Sequence, residues 1–377
     1  MQYRKFTSSG LNTSLLGFGC MRFPTLDNNL SNIDEKISSK MLEHAIENGV
    51  NYIDTAYTYH GGNSESFVGK FLKEKGLREK VYLATKNPVW LVKEYDDFEK
   101  LLNEQLERLQ TDYIDFYLLH SLHEKTYRKI INLDVFKFLD QAKKNGKIKY
   151  AGFSFHDELP LFKEIADAYP WDFCQIQLNY MDREMQAGLE GLKYAHDKGL
   201  DVVIMEPIKG GKLINPSPEI QEIWASSEIK RSPAEWALRW VFDLPEVKVV
   251  LSGMSTLDQV KENIKIANEG FPKSLSKKEL SLIDKVTEVY KKRVKVGCTS
   301  CDYCQPCPSN VAIPEIFEMY NNIYVYDTVA DSKDSYKGLK EKSKDVSQCI
   351  ECEVCENICP QHLEIISLLK EAEKSLI

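Results

Sequence analysis

Eight short apolar runs punctuate the first 253 residues, and longer stretches with helical spacing separate them. The runs are LLGFG (15–19), VNYID (50–54), KVYLATK (80–86), YIDFYLLH (113–120), IKYAGFS (148–154), DFCQIQLN (172–179), LDVVIM (200–205) and VKVVLSG (247–253). Between them, segments such as KISSKMLEHAIENG and FEKLLNEQLERLQ place apolar residues three and four apart, the spacing of a helix with one buried face. Strands that alternate with helices over about 250 residues predict a (β/α)8 barrel. The other architecture with this alternation is an open doubly wound sheet. It is disfavoured because no Gly-x-Gly-x-x-Gly follows the first strand, and GFGCM has no helix at the right distance after it.

Local signals agree. Ser232, Pro233 and Glu235 supply an N-cap, a first-turn proline and a capping-box acid together. Gly49, Gly146 and Gly199 stand where helices should stop before a strand. Residues 276–291 read as one more amphipathic helix, opened by Ser276 and Glu279. A second domain is expected from Gly297 onward, which divides the chain into 1–296 and 297–377. Within that domain, IPEIFEMYNN and LEIISLLKEAEK read as helices. The polar stretch 327–347 reads as an exposed connection. The net charge is −8, with acids and bases interspersed, so nothing favours nucleic acid or a membrane surface as partner. No signal peptide or membrane span is evident, and a cytoplasmic protein is expected.

In such a barrel, residues that end the strands meet at one face however far apart they lie in sequence. Asp54 closes the second strand, Lys86 the third, His120 the fourth and Ser154 the fifth, and Tyr59 follows Asp54 on the loop. Taken singly, each has an ordinary explanation: a helix N-cap, a solvated lysine, a satisfied structural histidine. Three ionisable groups on successive strands, with a tyrosine nearby, point instead to proton transfer. A phenol is a poor acid at neutral pH, and an adjacent ammonium favours its ionised form. Lys86 is expected to supply that charge, Asp54 to hold Lys86, and His120 to orient a carbonyl oxygen. The set suits general acid catalysis of carbonyl reduction by Tyr59.

Ten cysteines are present, and eight fall between 298 and 359. Cys20 and Cys174 stand alone in apolar runs and read as inert core thiols. Cys349, Cys352, Cys355 and Cys359, followed by proline, have the C-x2-C-x2-C-x3-C-P spacing of the bacterial ferredoxin run for [4Fe–4S] clusters. Cys298, Cys301, Cys304 and Cys307 form a similar run, one residue shorter before the last cysteine. Eight thiolates suit two cubanes. Zinc is the competing reading, and it usually takes paired C-x2-C knuckles separated by a loop. A disulfide framework belongs to short secreted chains.

IDTAYTY, ATK and DFYLLH resemble the strand-end motifs of the aldo-keto reductases, over about residues 1–290. The family's tetrad matches Asp54, Tyr59, Lys86 and His120 one by one. The resemblance implies an NAD(P)H coenzyme extended across the barrel mouth. Ser154 and Gln175 would then hold its carboxamide, and Met205 would pack on the nicotinamide. After strand seven, Gly210 and Gly211 expose backbone N–H groups between Lys209 and Lys212, which fits either the pyrophosphate at a barrel's usual phosphate corner or a flexible loop with solvated lysines. Ser255, Gln259 and Asn263 would line the adenosine end. Gly253 and Gln259 stand where members that prefer the 2′-phosphate carry lysine and arginine, so NADH and NADPH both stay open. The tail resembles a helical two-cluster ferredoxin. That resemblance implies crossed ligation, with Cys298, Cys301, Cys304 and Cys359 on one cluster and Cys349, Cys352, Cys355 and Cys307 on the other.

Two functions are expected from these motifs. The first is an iron–sulfur oxidoreductase acting on a small carbonyl or alcohol substrate. The second is an electron-transfer protein whose barrel serves as a docking, flavin or nucleotide module. A redox partner protein fits either.

Overall fold

The computed structural model describes residues 1–7, 10–27, 29–298, 300, 303–359 and 361–377. All eight apolar runs become parallel strands: β1 (Leu16–Gly19), β2 (Tyr52–Asp54), β3 (Tyr82–Asn87), β4 (Ile114–Leu122), β5 (Ile148–Phe155), β6 (Phe173–Gln177), β7 (Asp201–Met205) and β8 (Val247–Gly253). They close into a barrel in sequence order, with β8 paired to β1. The register runs Gly253 opposite Gly19, Gly19 opposite Asp54, and Ser154 opposite Gln175. The strand ends that carry polar side chains therefore share one rim.

A short hairpin, Tyr3–Lys5 with Asn12–Ser14, precedes the barrel and delivers Phe6 into it. Phe6 packs 5.1 Å from Phe116 and 6.5 Å from Phe173, ring centre to ring centre. Phe116 also meets Tyr52, Tyr82 and Tyr150. Burying one such ring stabilises the fold by about 1.5–3 kcal/mol. The aromatic layer makes the barrel a packed core rather than a pore. Gly152 makes room for it, since a Cβ there would stand 2.6 Å from the Phe173 ring and from its carbonyl oxygen.

By compactness the chain forms two units, Met1–Gly210 with Ala234–Ser276, and Gly211–Pro233 with Lys277–Ile377. The second unit is helical, with helices Pro218–Ala225, Lys277–Lys292, Ile313–Tyr326, Val329–Glu341 and Ile365–Leu376. The helix Val329–Glu341 replaces the exposed connection expected over 327–347. Its buried residues are Ser332, Tyr336 and Leu339, a stripe four and three residues apart. That stripe holds one aromatic and one leucine in an otherwise polar run, too little apolar content to stand out in sequence. Tyr336 and Leu339 join a core with Ile316, Phe317, Tyr320, Ile365 and Leu369. Among the described residues, no helix is long and apolar enough to cross a membrane.

Candidate active site

Asp54, Lys86 and His120 lie at or near the C-terminal ends of β2, β3 and β4, and Tyr59 lies on the loop that leaves β2, at the start of the 3-10 turn Tyr59–Gly62. The Lys86 ammonium is fully buried and donates to both carboxylate oxygens of Asp54, at 2.7 and 2.8 Å. It also donates to the Thr55 carbonyl at 2.8 Å and approaches the Tyr59 hydroxyl at 3.4 Å. These contacts give every N–H of the ammonium an acceptor. Burial alone would neutralise Lys86, but Asp54 and Tyr59 outweigh it and its pKa is raised. The ammonium is therefore kept charged. Burial pushes Asp54 upward, and Lys86 pulls it back.

The phenol departs from the sequence expectation. Burial raises Tyr59 above its ordinary value and Asp54 adds to the rise, while Lys86 lowers it without prevailing. Tyr59 thus keeps its proton at neutral pH, poised beside a cation that would stabilise the phenolate once the proton leaves. The imidazole of His120 stands edge-on to the Tyr59 ring, 6.2 Å between centres. Burial, with Lys86 and His156 nearby, holds His120 well below the usual range, so the imidazole is neutral. Its Nδ1 is buried without a partner. The Trp90 ring lies 5.1 Å from it. Sequence reasoning missed Trp90, although its place in NPVW just after β3 puts it on a rim loop.

A second buried layer fixes this geometry. Glu65, fully buried, accepts from Thr85 Oγ1 and Gln105 Nε2, each at 2.6 Å. Gln105 Nε2 also donates to the Lys86 carbonyl at 3.0 Å. His60, next to Tyr59, takes a backbone φ of 53°. Its ring bridges the Phe23 N–H and the Leu30 carbonyl, at 3.2 and 2.7 Å. These contacts hold the backbone on both sides of the proton-transfer pair, and nothing in local sequence announced them.

The residues expected at the coenzyme divide in two. Ser154 and Gln175 are buried side by side on β5 and β6. Ser154 Oγ accepts the Ser121 N–H at 2.7 Å. Gln175 Nε2 donates to Met205 Sδ at 3.4 Å, and its Oε1 is buried without a partner. An unpartnered amide oxygen in a buried site fits a carboxamide N–H donor. At the phosphate corner, Gly210 and Gly211 both have positive φ, 63° and 95°. Lys209, which flanks them, is paired with Asp182. Lys212, itself in the second unit, reaches Glu318 and Asn322 of that same unit. The Ser255 N–H donates to Gln259 Oε1, and Thr256 Oγ1 caps the helix Leu257–Asn268 by accepting the Gln259 N–H. Asn263 Nδ2 donates to Ser252 Oγ at 3.0 Å.

In the second unit, Cys298, Cys304, Cys307, Cys349, Cys355 and Cys359 pack against the apolar core. Cys352 is exposed. Cys301 lies outside the described residues. One cavity is lined by Cys349, Cys352 and Cys355 together with Cys307 of the first run, and walled by Val311, Ile313 and Leu369. Among the described residues, no three His, Cys, Asp or Glu side chains are arranged to hold a single metal ion. A cubane spreads its ligands over four irons and asks for a wider seat. Cys20 and Cys174 are buried, and burial raises both thiols, as expected of inert core cysteines.

Comparison with known proteins adds family to geometry. Residues 15–288 match the model of the aldo/keto reductase family, and residues 297–364 that of the 4Fe-4S dicluster domain. The uncharacterized oxidoreductase YrpG of Bacillus subtilis is 27% identical over 316 residues, covering 73% of this chain and 94% of its own. The L-galactose dehydrogenase of Arabidopsis thaliana is 27% identical over 317 residues, covering 77% and 96%. Among solved structures, the holo form of aldo-keto reductase AKR11C1 from Bacillus halodurans matches with a TM-score of 0.63 and 30% identity. That match covers 76% of this chain and 96% of the other.

Proposed function

Because this chain belongs to the aldo/keto reductase family and carries a 4Fe-4S dicluster domain, we propose that it reduces an aldehyde or ketone, or oxidises the corresponding alcohol, with Tyr59 as general acid. The observation that carries this reading is the Lys86 ammonium, bonded to Asp54 and reaching the Tyr59 hydroxyl beside a neutral His120. A bound NAD(P)H would supply the hydride to the carbonyl carbon. The neutral imidazole of His120 donates a hydrogen bond to the carbonyl oxygen and aims it at the Tyr59 hydroxyl. Tyr59 gives that oxygen its proton, and the phenolate left behind is stabilised by Lys86, whose charge Asp54 maintains. In the alcohol direction the same groups take the proton back. Ser154 and the free Oε1 of Gln175 would hold the carboxamide, with Met205 against the ring.

The reductase part is 1–296 and the iron–sulfur part 297–377. Two [4Fe–4S] clusters would be held by the eight cysteines of the two runs. The cavity that joins Cys307 to Cys349, Cys352 and Cys355 supports crossed ligation. The exposed Cys352 favours electron exchange with a partner protein over a purely structural staple.

The test is anaerobic turnover of the iron-loaded protein with NADH and NADPH against a panel of aldehydes and ketones. Wild type should oxidise the nucleotide only when carbonyl is present. Tyr59→Phe should lose about 10²–10⁴-fold in kcat while retaining nucleotide binding. Equal turnover by the variant would overturn the assignment of Tyr59. Bleaching of the cluster absorbance by nucleotide alone would show electrons passing between the two parts.

A further inference from the structure

Phe155 and His156 follow Ser154 at the end of β5 and face opposite ways. Phe153 and Phe155 both pack on Phe162 of the helix Leu159–Ala168, at 5.9 and 5.3 Å between ring centres, so the odd positions of β5 face the helices. Ser154 lies on the other side, toward the barrel mouth, and the alternation of a strand puts His156 on that side with it. The ladder reaches this far: Leu122 of β4 stands opposite Phe155, and the His156 N–H donates to the Leu122 carbonyl at 3.0 Å. Between Leu119 and Leu122 the same ladder shifts register, and Ser121 takes a φ of 56°. An irregularity of this kind re-aims a side chain, and the side chain at this one is His120.

His120 is flanked from both neighbouring strands. Trp90 comes from the loop after β3, with its ring 5.1 Å from the imidazole and 39% of the residue exposed. That loop is pinned, since Lys129 donates to the Val89 and Trp90 carbonyls at 3.1 and 3.0 Å. His156 comes from β5, close enough that a charge on it would be felt at His120. It is half-buried, and among the described residues neither of its ring nitrogens makes a hydrogen bond. Burial holds it below the ordinary histidine range, and His123 adds to the shift. An uncharged imidazole carries one N–H and one lone pair. It matches a hydroxyl, which accepts and donates, better than a carboxylate, whose charge it does not balance.

We infer that His156 is a specificity-determining residue that hydrogen-bonds a hydroxyl on the carbon next to the substrate carbonyl, so that the site selects 2-hydroxy carbonyl compounds over their deoxy counterparts. This rests on the reading of the barrel mouth as a carbonyl-reducing site. With the carbonyl oxygen at His120, the second oxygen belongs one strand over. Neighbouring strands lie about 4.8 Å apart, and imidazoles converging from two of them reach oxygens on adjacent carbons. Trp90 offers the carbon skeleton an apolar wall. A substrate without the hydroxyl would cover His156 and leave it unpaired, which is how a site built to bond a hydroxyl rejects the analogue that lacks it.

The experiment measures kcat/KM for each enantiomer of lactaldehyde (2-hydroxypropanal) and for propanal, in iron-loaded wild type, His156→Phe and His156→Gln, with Tyr59→Phe as control. Wild type should prefer one lactaldehyde enantiomer to propanal by about ten- to a hundredfold. His156→Phe keeps a ring but loses both nitrogens, and its preference should fall to within about threefold of unity. His156→Gln keeps a donor and an acceptor. It should retain a preference between those two values, and it serves if the phenylalanine variant folds poorly. A wild type without preference would overturn the inference. So would a His156→Phe that slows both substrates equally and keeps the preference, which is the mark of a merely structural residue. If wild type reduces neither aldehyde, or Tyr59→Phe reduces both as fast as wild type, the reading of the mouth fails and this inference with it. Tyr59-dependent reduction with a preference indifferent to His156 would sink this inference alone.

Discussion

The barrel mouth and the cysteine-bearing unit solve opposite problems. At the mouth the buried charges already have their partners: Lys86 is held by Asp54, the Thr55 carbonyl and Tyr59, and Glu65 by Thr85 and Gln105. In the second unit, six of the cysteines lie against apolar side chains such as those of the Ile316, Phe317 and Leu369 core. The first site is organised by the fold alone. The second reserves room for groups that must bring their own bonds. Preorganisation suits proton transfer, where misplaced dipoles cost rate. A seat completed by its metal suits a small helical unit, because ligation then becomes part of its folding free energy.

Removing cluster ligands should produce the largest effect. Iron-loaded protein should carry about eight irons per chain, and Cys359→Ala about four. With crossed ligation, Cys298→Ala combined with Cys359→Ala still strikes one cluster, and about four irons should remain. If each run holds its own cluster, the pair strikes both and iron should approach zero. An iron assay on anaerobically purified variants decides between them. In each variant the thermal transition of the barrel should stay in place, which a Trp fluorescence melt can follow. A barrel that unfolds with its clusters would break the contrast drawn above.

Lys86→Met probes the other side. It leaves Asp54 buried without its counter-charge, and breaking a buried pair costs about 3–5 kcal/mol. Urea denaturation should show that loss, while the iron content stays at the wild-type value. A variant as stable as wild type would mean that the mouth is less dependent on its ion pair than the burial of Lys86 and Asp54 demands.

The smallest effect is in pH. Burial holds His120 and His156 below the ordinary histidine value of 6.5. As pH falls, the unfolded chain therefore takes up protons before the native one. Their contribution to stability is complete above about pH 6.5 and declines as pH drops toward the native pKa values, by at most about 1.4 kcal/mol per pH unit for each group. His156→Gln should flatten the fall in urea midpoint between pH 7.5 and 5.5. An unchanged slope would show that His156 is not held neutral.

The sequence by itself determined the number of barrel strands, the residues at or near their C-terminal ends and the cysteine spacing. In a parallel barrel those facts suffice to bring Asp54, Tyr59, Lys86 and His120 to one rim, because all strand C-termini share a face. Helix ends were readable for the same kind of reason: Gly49, Gly146 and Gly199 adopt the positive φ that glycine tolerates. Packing decided what local sequence does not encode. Only tertiary structure shows that Asp182 takes Lys209, that Trp90 lies against His120, and that burial outweighs Lys86 at the Tyr59 phenol. It also reveals Cys307 beside the second cysteine run, and the buried stripe of Val329–Glu341. Each depends on side chains distant along the chain, and their separations and desolvation are set by how the elements pack, not by spacing within any one of them.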